Sequence, residues 1–245
     1  MSDEMLVVAD SHIGSEAGEV TAFVDFLMRR GAGAGTVAHL GDLFNIWIGQ
    51  PRFEMPHMKP VLEAFRALRR RGVRTILVEG NRDLHSKTHY EGDAFTSVSE
   101  DVIDVTVGGR RVRMSHGDRV NVHDRQYQTW RAFAKSRFTR AALEVLPSSA
   151  GVRMANALEA RMRTTNLRNK IHFPVEAAAV FAERAWASGA DLLLLGHFHE
   201  ERVVASPGGT MVVLPDWRAS RRYVAVGGDG GWRFETWAGP EEGTA

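Results

Sequence analysis

Four short apolar runs in this sequence each end directly at polar residues, and this pattern narrows the folds open to the chain. The runs are rich in Val, Ile and Leu, as buried strands are, and lie at residues 5–9, 36–40, 73–78 and 191–195. Residues 19–30 and 56–71, between the early runs, have helical patterns of apolar residues. Because strands that alternate with helices form parallel sheets, and ligands bind beyond the carboxyl ends of such strands, we expect a functional site at one sheet edge.

The second half of the chain predicts hairpins and a long helical stretch. Hairpins are expected at residues 102–115 and 202–214, each around a turn that contains Gly-Gly, with closing strands at 223–226 and 232–236. Helices are expected at 124–140, 151–165 and 174–188. We therefore predict an α/β protein, a four-layer αββα sandwich of two mixed sheets. It forms a single domain over residues 1–245, with residues 124–172 as a helical lid insertion.

The composition is that of an ordinary globular protein. Hydrophobic residues make up 44% of the 245, which is enough for a full core. No apolar run approaches the roughly 20 residues of a membrane span, and the start Met1-Ser2-Asp3-Glu4 lacks the basic region of a secretory signal. We therefore expect a cytoplasmic protein. The absence of cysteine excludes disulfides, thiolate metal sites and cysteine nucleophiles.

The charge is unevenly distributed along the chain. Residues 124–172 contain ten Arg or Lys and three Asp or Glu, a net charge of +7. The whole chain carries +1, so the remainder carries −6. A basic region of this kind indicates an anionic partner such as a phosphate, a nucleic acid or a lipid headgroup, although it is also compatible with a solvated helical face.

Candidate metal ligands occur in five short fragments, all at predicted strand ends. The fragments are Asp10-Ser11-His12, Gly41-Asp42, Gly80-Asn81-Arg82-Asp83, His116-Gly117-Asp118 and Gly196-His197-Phe198-His199. Any one of them alone is compatible with a turn or a structural histidine. Together they offer carboxylate, imidazole and amide oxygen donors without sulfur, a mixture that suits Mn, Fe, Zn or Mg. Two such ions side by side can activate water and stabilise a displacement at phosphorus.

In this order the five fragments resemble the calcineurin-like metallophosphoesterase family. The resemblance implies an αββα sandwich and two divalent metal ions with a water shared between them as the nucleophile. It implies that one ion binds Asp10, His12, Asp42 and His199, and that the other binds Asp42, Asn81, His116 and His197. It also implies catalytic roles for Asp42, Asn81, Arg82 and His116.

Arg82 departs from the pattern of many family members, which have histidine at this position. Histidine can protonate a departing alkoxide, whereas arginine, with a pKa above about 12, cannot. Arginine can still bind phosphoryl oxygens and stabilise charge in the transition state. Cleavage of a diphosphate needs no such proton, because the leaving group is a phosphate monoester, whose second pKa is near 6.

Further stretches resemble the UDP-2,3-diacylglucosamine diphosphatase branch of that family. They are residues 41–49, the residues after His116-Gly117-Asp118, residues 160–163 and residues 214–217. Ser11, Gln50 and Pro215 depart from the branch pattern. The resemblance implies release of UMP and 2,3-diacylglucosamine 1-phosphate for lipid A synthesis, with Mn²⁺ as the metal. It implies substrate contacts from Asn81, Arg82, Asp124, Tyr127, Arg163, Asn166, Lys170 and His197.

The same resemblance favours a monomer that collects an acylated UDP-sugar at the cytoplasmic face of the inner membrane as a peripheral protein. Apolar residues of the insertion, which include Trp130, Phe133, Phe138 and Leu143, would line an acyl channel, although ordinary helix packing also explains them. No nucleic acid partner is expected beyond the uridine nucleotide. Three alternatives stay open: a less specific phosphodiesterase or nucleotide pyrophosphatase, a nuclease, and a non-catalytic interaction module.

Overall fold

Two mixed β-sheets pack face to face in the computed structural model, which describes residues 2–122, 124–166 and 173–239. The first sheet has six strands in the order β13-β12-β1-β2-β4-β6. Its parallel strands are β1 Met5–Val8, β2 Thr36–His39, β4 Arg74–Val78 and β6 Ser97–Ser99. The antiparallel strands β12 Arg222–Val226 and β13 Trp232–Thr236 extend it beyond β1. The carboxyl ends of β1, β2 and β4 therefore lie side by side.

The second sheet has five strands in the order β10-β11-β9-β8-β7. Its strands are β7 Val102–Val107, β8 Arg110–Ser115, β9 Leu192–Leu195, β10 Arg202–Ser206 and β11 Gly209–Val213. The central strand β9 runs parallel to both neighbours, and a hairpin closes each side. A separate two-stranded ribbon pairs β3 Trp47–Ile48 with β5 Asp83–Leu84.

Helices cover the outer faces of both sheets. They are α1 Ala17–Arg29, α2 Met58–Arg70, α3 Lys87–Tyr90, α4 Arg125–Ala134, α5 Arg137–Val145, α6 Ser148–Asn166, α7 Val175–Ala187 and α8 Trp217–Ser220. Short 3₁₀ turns lie at Gly31–Gly33 and Pro51–Phe53.

Three apolar clusters define the layers. Phe23 of α1 and Phe65 of α2 pack on the outer face of the six-stranded sheet. Alternate residues of the strands, such as Val7 and Leu194, fill the space between the sheets. Ala182 of α7 packs on the outer face of the five-stranded sheet. This order of helix, sheet, sheet and helix confirms the predicted αββα sandwich.

The predicted single helix at residues 124–140 is wrong. The structure divides it into α4 and α5 at Lys135 and Ser136, and the Ser136 hydroxyl caps α5 by accepting a hydrogen bond from the Thr139 amide at 3.1 Å. Such a cap satisfies a backbone donor that would otherwise have no partner at the start of the helix. The prediction also missed the short elements β3, β5, β6, α3 and α8. Among the described residues, none of the helices has the length and apolar character needed to cross a membrane.

Candidate metal centre

Seven side chains predicted as metal ligands converge at one rim of the two sheets. Backbone hydrogen bonds hold the loops after β1 and β2 together, since the His12 amide donates to Asp42 O at 2.9 Å and the Asp10 amide donates to Gly41 O at 3.1 Å. The loops after β4, β8 and β9 supply the other side chains. The seven are Asp10, His12, Asp42, Asn81, His116, His197 and His199.

Five of these seven residues have left-handed backbone conformations. Asp10, His12, Asp42, His197 and His199 have φ angles between +43° and +73°. Residues other than glycine avoid this region, and they persist in it only where the surrounding structure holds them there. Strain concentrated in this way indicates that the rim is shaped for function.

The first ligand cluster consists of Asp10, His12 and His199. The Nε2 atoms of the two histidines are 3.3 Å apart, and His199 Nε2 lies 3.4 Å from Asp10 Oδ1. The distance from His12 Nε2 to Asp10 Oδ1 is 3.8 Å. These three donor atoms lie close enough together to bind one divalent cation.

The second ligand cluster consists of Asn81, His116 and His197. Asn81 Oδ1 lies 3.0 Å from His116 Nε2 and 3.1 Å from His197 Nδ1, and the two ring nitrogens are 3.2 Å apart. An amide oxygen and two imidazole nitrogens thus face a common point. This is a ligand mixture that divalent first-row metals accept.

Asp42 lies between the two clusters with one carboxylate oxygen toward each. Oδ2 is 3.9 Å from His12 Nε2 of the first cluster, and Oδ1 is 3.6 Å from His116 Nε2 of the second. A carboxylate placed in this way has one oxygen for each of two adjacent cations. The arrangement is therefore suited to a two-metal site.

Two glycines allow the loops to approach this closely. A Cβ atom on Gly80 would lie 2.2 Å from Asp42 Oδ1, and one on Gly196 would lie 2.8 Å from Asp10 Oδ2. Any larger residue at either position would displace a carboxylate of the site.

Hydrogen bonds behind the ligands fix their orientation. The His116 Nδ1–H group donates to Leu40 O at 2.7 Å, which leaves Nε2 to face the second cluster. Asp83 Oδ2 accepts from the amides of Asp42 at 2.7 Å and Gly80 at 2.9 Å. The sequence prediction gave Asp83 no role, although it belongs to the Gly-Asn-Arg-Asp fragment.

Burial and neighbouring charges separate the pKa values in the site. Burial lowers the pKa of His197 to about 4, and the charge of His116 adds to this. Burial also lowers the pKa of His199, but the hydrogen bond and charge of Asp10 outweigh it and raise that pKa to about 9. Burial raises the pKa of Asp10, yet the hydrogen bond from His199 and the nearby histidine charges hold it well below its usual range. An ionised carboxylate is the form that binds metal.

Asp10 provides a further test of whether a cation fits. Its Oδ1 atom is buried and is left unsatisfied, because its contact with His199 Nε2 at 3.4 Å is long and poorly aligned, whereas Oδ2 accepts from the His197 amide at 2.8 Å. A buried carboxylate oxygen that no donor satisfies costs free energy, and a bound cation would remove this cost. The donors and their chemistry therefore fit divalent metal ions.

Arg82 lies beside the carboxylate of Asp42. Its Nε is 3.4 Å from Asp42 Oδ2, its backbone amide donates to Asp42 Oδ1 at 2.9 Å, and its NH1 group donates to Asn45 O at 3.0 Å. The side chain is almost fully buried, so the guanidinium is held in one orientation at the edge of the site.

Ser11 and His39 form a buried pair beneath the first cluster. The Ser11 hydroxyl and His39 Nε2 are 2.7 Å apart. Ser11, which departs from the family pattern, therefore gives the loop between Asp10 and His12 a polar anchor on β2. His39 is buried at the end of β2 and belongs to neither ligand cluster.

The residues of the insertion that were predicted to contact the substrate lie in different parts of it. The Asp124 carboxylate caps α4 by accepting from the Tyr127 amide at 2.9 Å, and the Tyr127 hydroxyl donates to Asp118 Oδ2 at 2.6 Å. Arg163 and Asn166 belong to α6. Lys170 lies outside the described residues.

The outer surface of the insertion is apolar as well as basic. Phe133, Phe138 and Val145 are 70%, 73% and 82% exposed, whereas Leu143 is buried against the core under α1 and α2. The interpretation of Leu143 as part of an acyl channel is therefore wrong. Phe133 lies on α4, and Phe138 and Val145 lie on α5, so both helices expose apolar side chains.

Relatives named UDP-2,3-diacylglucosamine hydrolase match most of the chain. The protein from Aeromonas salmonicida is 30% identical over 218 residues, which cover 86% of this chain and 85% of that protein. The protein from Stenotrophomonas maltophilia is 29% identical over 249 residues, covering 95% and 98%. The protein from Haemophilus influenzae strain PittGG is 26% identical over 220 residues, covering 89% and 92%. No protein-family model matches the chain.

Solved structures share the fold at lower sequence identity. A structure described as a novel archaeal phosphodiesterase has a TM-score of 0.53 at 12% identity and covers 96% of this chain and 99% of its own. Vacuolar protein sorting 29 from Cryptosporidium parvum has a TM-score of 0.50 at 14% identity and covers 96% of both chains. The architecture is thus that of the calcineurin-like phosphoesterases.

Proposed function

Because the chain belongs to the UDP-2,3-diacylglucosamine hydrolase family, we propose that it cleaves the diphosphate of UDP-2,3-diacylglucosamine. The products are UMP and 2,3-diacylglucosamine 1-phosphate, an intermediate for lipid A biosynthesis. The pair of ligand clusters that meets at Asp42 carries this proposal, because it suits a displacement at phosphorus assisted by two metals.

Two divalent ions, Mn²⁺ by preference, occupy the site in this proposal. Asp10, His12 and His199 would hold one ion, Asn81, His116 and His197 would hold the other, and Asp42 would offer one carboxylate oxygen to each. Bound ions of this kind supply an activated water and neutralise charge at the phosphoryl oxygens. The contacts of the His116 ring and of Asp10 Oδ2 with backbone groups hold the ligands in place before the ions arrive.

Arg82 stabilises the diphosphate during cleavage. Its guanidinium lies beside Asp42, where it can donate to an oxygen of the phosphoryl group under attack. Arg82 transfers no proton, and none is needed, because the departing sugar 1-phosphate is stable as an anion near neutral pH. Asn81 and His197 contact the same phosphoryl group from the second cluster.

The insertion at residues 124–172 acts as the lid over the substrate. Its basic residues attract an anionic substrate and anionic lipid headgroups, and its exposed apolar side chains contact acyl chains. Asp124, Tyr127, Arg163, Asn166 and Lys170 contact the substrate headgroup. The protein works as a monomer at the cytoplasmic face of the inner membrane, from which it takes its substrate.

Product analysis tests the reaction. Purified protein with Mn²⁺ is incubated in parallel with UDP-2,3-diacylglucosamine, UDP-glucosamine and bis-p-nitrophenyl phosphate, and products are identified by mass spectrometry. We expect UMP from the acylated substrate alone. Equal cleavage of the simple esters would instead favour a less specific phosphodiesterase, and release of no UMP at all would refute the proposal.

A pair of matched variants tests the lid surface. Phe138→Ser removes an exposed apolar residue of α5, and Val175→Ser removes one of α7, which is 57% exposed outside the insertion. We expect Phe138→Ser to raise KM for the acylated substrate and to weaken binding to vesicles of anionic phospholipid, whereas Val175→Ser changes neither. The same KM in both variants would contradict an acyl-binding role for this surface.

A further inference from the structure

Two buried carboxylates flank ligands of the second cluster in sequence, and both are bound by side chains of the insertion. Glu79 precedes Asn81 by two residues, and Asp118 follows His116 by two residues. Neither residue is a member of the two clusters. Both carboxylates are almost completely buried, and each needs a partner of opposite charge or several hydrogen bond donors.

The partners lie on one face of α4. Tyr127, Arg131 and Lys135 are spaced four residues apart, so they form a single stripe along the helix and its C-terminal cap, which we call the α4 stripe. The Tyr127 hydroxyl and Arg131 Nε both donate to Asp118 Oδ2 at 2.6 Å. Lys135 Nζ donates to Glu79 Oε2 at 3.0 Å.

Glu79 also closes the loop that carries Asn81 and Arg82. Its Oε1 atom accepts hydrogen bonds of 2.6 Å from both the amide and the hydroxyl of Ser86. The carboxylate therefore joins the two ends of the loop formed by residues 80–85. Lys135 binds the other oxygen of the same carboxylate, and its side chain is only 6% exposed.

A second contact also joins the loop of residues 80–85 to α4. His85 Nε2 donates to Ala134 O at 2.9 Å, at the last residue of α4. His85 is buried and has a left-handed conformation with φ of 60°, which indicates that the loop is held in place there. The loop and the end of α4 therefore form one packed unit.

We infer that Lys135 and Glu79 are positioning residues that fasten the insertion to the loop of Asn81 and Arg82 and so set the geometry of the second ligand cluster. This inference rests on the proposed two-metal function. Lys135 touches neither substrate nor metal and acts through Glu79. Loss of either partner leaves an unpaired charge buried next to the loop, and the loop is then free to shift.

The insertion is accordingly not free to move as a whole. Its helix α4 is bound at Asp118 and at Glu79, so α4 cannot move independently of the loop that carries Asn81 and Arg82. The first helix of the insertion thus supports the loop of Asn81 and Arg82, while the exposed apolar side chains of α4 and α5 remain available to lipid.

Mn²⁺ binding and hydrogen exchange test the inference without substrate. Lys135→Met is compared with Lys87→Met, which removes an exposed side chain that pairs with Glu91 at 3.9 Å. The backbone amide of residue 87, which contacts Glu79 Oε1 at 3.4 Å, is kept in this control. We expect Lys135→Met to weaken binding of one of the two Mn²⁺ ions by about 10- to 100-fold, the usual effect of losing a group that orients a ligand, and to leave the other ion in place. Amide exchange should rise in both α4 and residues 80–86. Lys87→Met should change neither quantity.

A double substitution separates a positioning role from a general loss of stability. If Lys135 and Glu79 act as one unit, kcat of the variant Lys135→Met with Glu79→Gln should fall no further than that of Lys135→Met alone, with KM unchanged. A kcat reduced by the product of the two single effects would overturn the inference, as would two Mn²⁺ ions bound with wild-type affinity in Lys135→Met. If Lys135→Met does not fold, Lys135→Gln is judged by the same criteria. Failure of the wild-type protein to release UMP would count against the proposed function only, because the metal and exchange measurements do not depend on it.

Discussion

Replacement of Gly80 by alanine directly tests whether the position of the Asp42 carboxylate matters. A Cβ atom at residue 80 would lie 2.2 Å from Asp42 Oδ1 and 2.6 Å from the Asp42 amide nitrogen. Ordinary van der Waals contact begins at about 3.4 Å, so the carboxylate oxygen must move by about 1.2 Å. The Asp42 amide nitrogen is also too close, so the backbone of one of the two loops must shift as well, against the hydrogen bonds that Asp83 accepts from both amides.

The expected magnitude follows from this displacement. Misplacement of a catalytic group by about 1 Å can cost about 100-fold in rate, so we expect kcat/KM of Gly80→Ala to fall by at least about that factor. Overpacking of a buried site costs about 1–3 kcal/mol, so the metal-free variant should fold but unfold at a lower temperature. The stabilisation that Mn²⁺ gives the wild-type protein should shrink in the variant, since Asp42 no longer faces both clusters.

The assay compares three proteins for UMP release and for thermal unfolding with and without Mn²⁺. Gly18→Ala is the matched control, because Gly18 lies in α1 and a Cβ atom there would have nothing within 4 Å. Alanine favours a helix over glycine by about 1 kcal/mol, so this control should keep full activity and gain slightly in stability. Wild-type kcat/KM and wild-type stabilisation by Mn²⁺ in Gly80→Ala would refute the role assigned to Asp42.

Three further predictions address the site and its scaffold. Asp42→Ala should abolish Mn²⁺-dependent turnover while the chain remains folded, as checked by circular dichroism beside the activity assay; normal turnover would contradict the two-metal proposal. Arg82→Ala should reduce kcat for the diphosphate by at least about 100-fold, as loss of a transition-state donor does, whereas Arg74→Ala at the exposed start of β4 should not; an unchanged rate in Arg82→Ala would contradict the role given to the guanidinium. The Asp104 carboxylate accepts hydrogen bonds from Arg113 and Arg111. These contacts lower the pKa of Asp104 from 3.8 to about 2, although partial burial acts in the opposite direction. The stabilisation is therefore present above about pH 4 and is lost as the pH falls toward 2, so Asp104→Asn should cost about 1 kcal/mol at pH 7 and little near pH 2. Equal midpoints of urea unfolding for the wild-type protein and Asp104→Asn at pH 7 would contradict this prediction.

The sequence predicted the strands that carry the site because each one is a compact apolar run followed at once by polar residues. Asp10, Asp42 and His197 follow β1, β2 and β9 in this way. Once the two sheets form and pack face to face, the carboxyl ends of these strands lie at one rim. The family resemblance to UDP-2,3-diacylglucosamine hydrolases was confirmed for the same reason, since its motifs lie within these loops.

The contacts of the insertion were beyond sequence reasoning because their partners are far apart in the chain. Glu79 and Lys135 are 56 residues apart, and nothing near either one indicates the other. The break between α4 and α5 does have a local signal, since Ser136 is a good cap, but Ala134, Lys135 and Arg137 beside it favour helix and hid it. The assignment of the seven side chains to two metal ions stays a prediction.

The long separation of the ligands in sequence also sets an order of events during synthesis of the protein. His12 and His199 lie 3.3 Å apart although 187 residues separate them. While the ribosome is still adding residues before 199, a chain that already holds Asp10 and His12 lacks the third member of the first cluster. In the proposed two-metal site, metal loading at this cluster would therefore wait until His199 has been added and the second sheet has folded against the first.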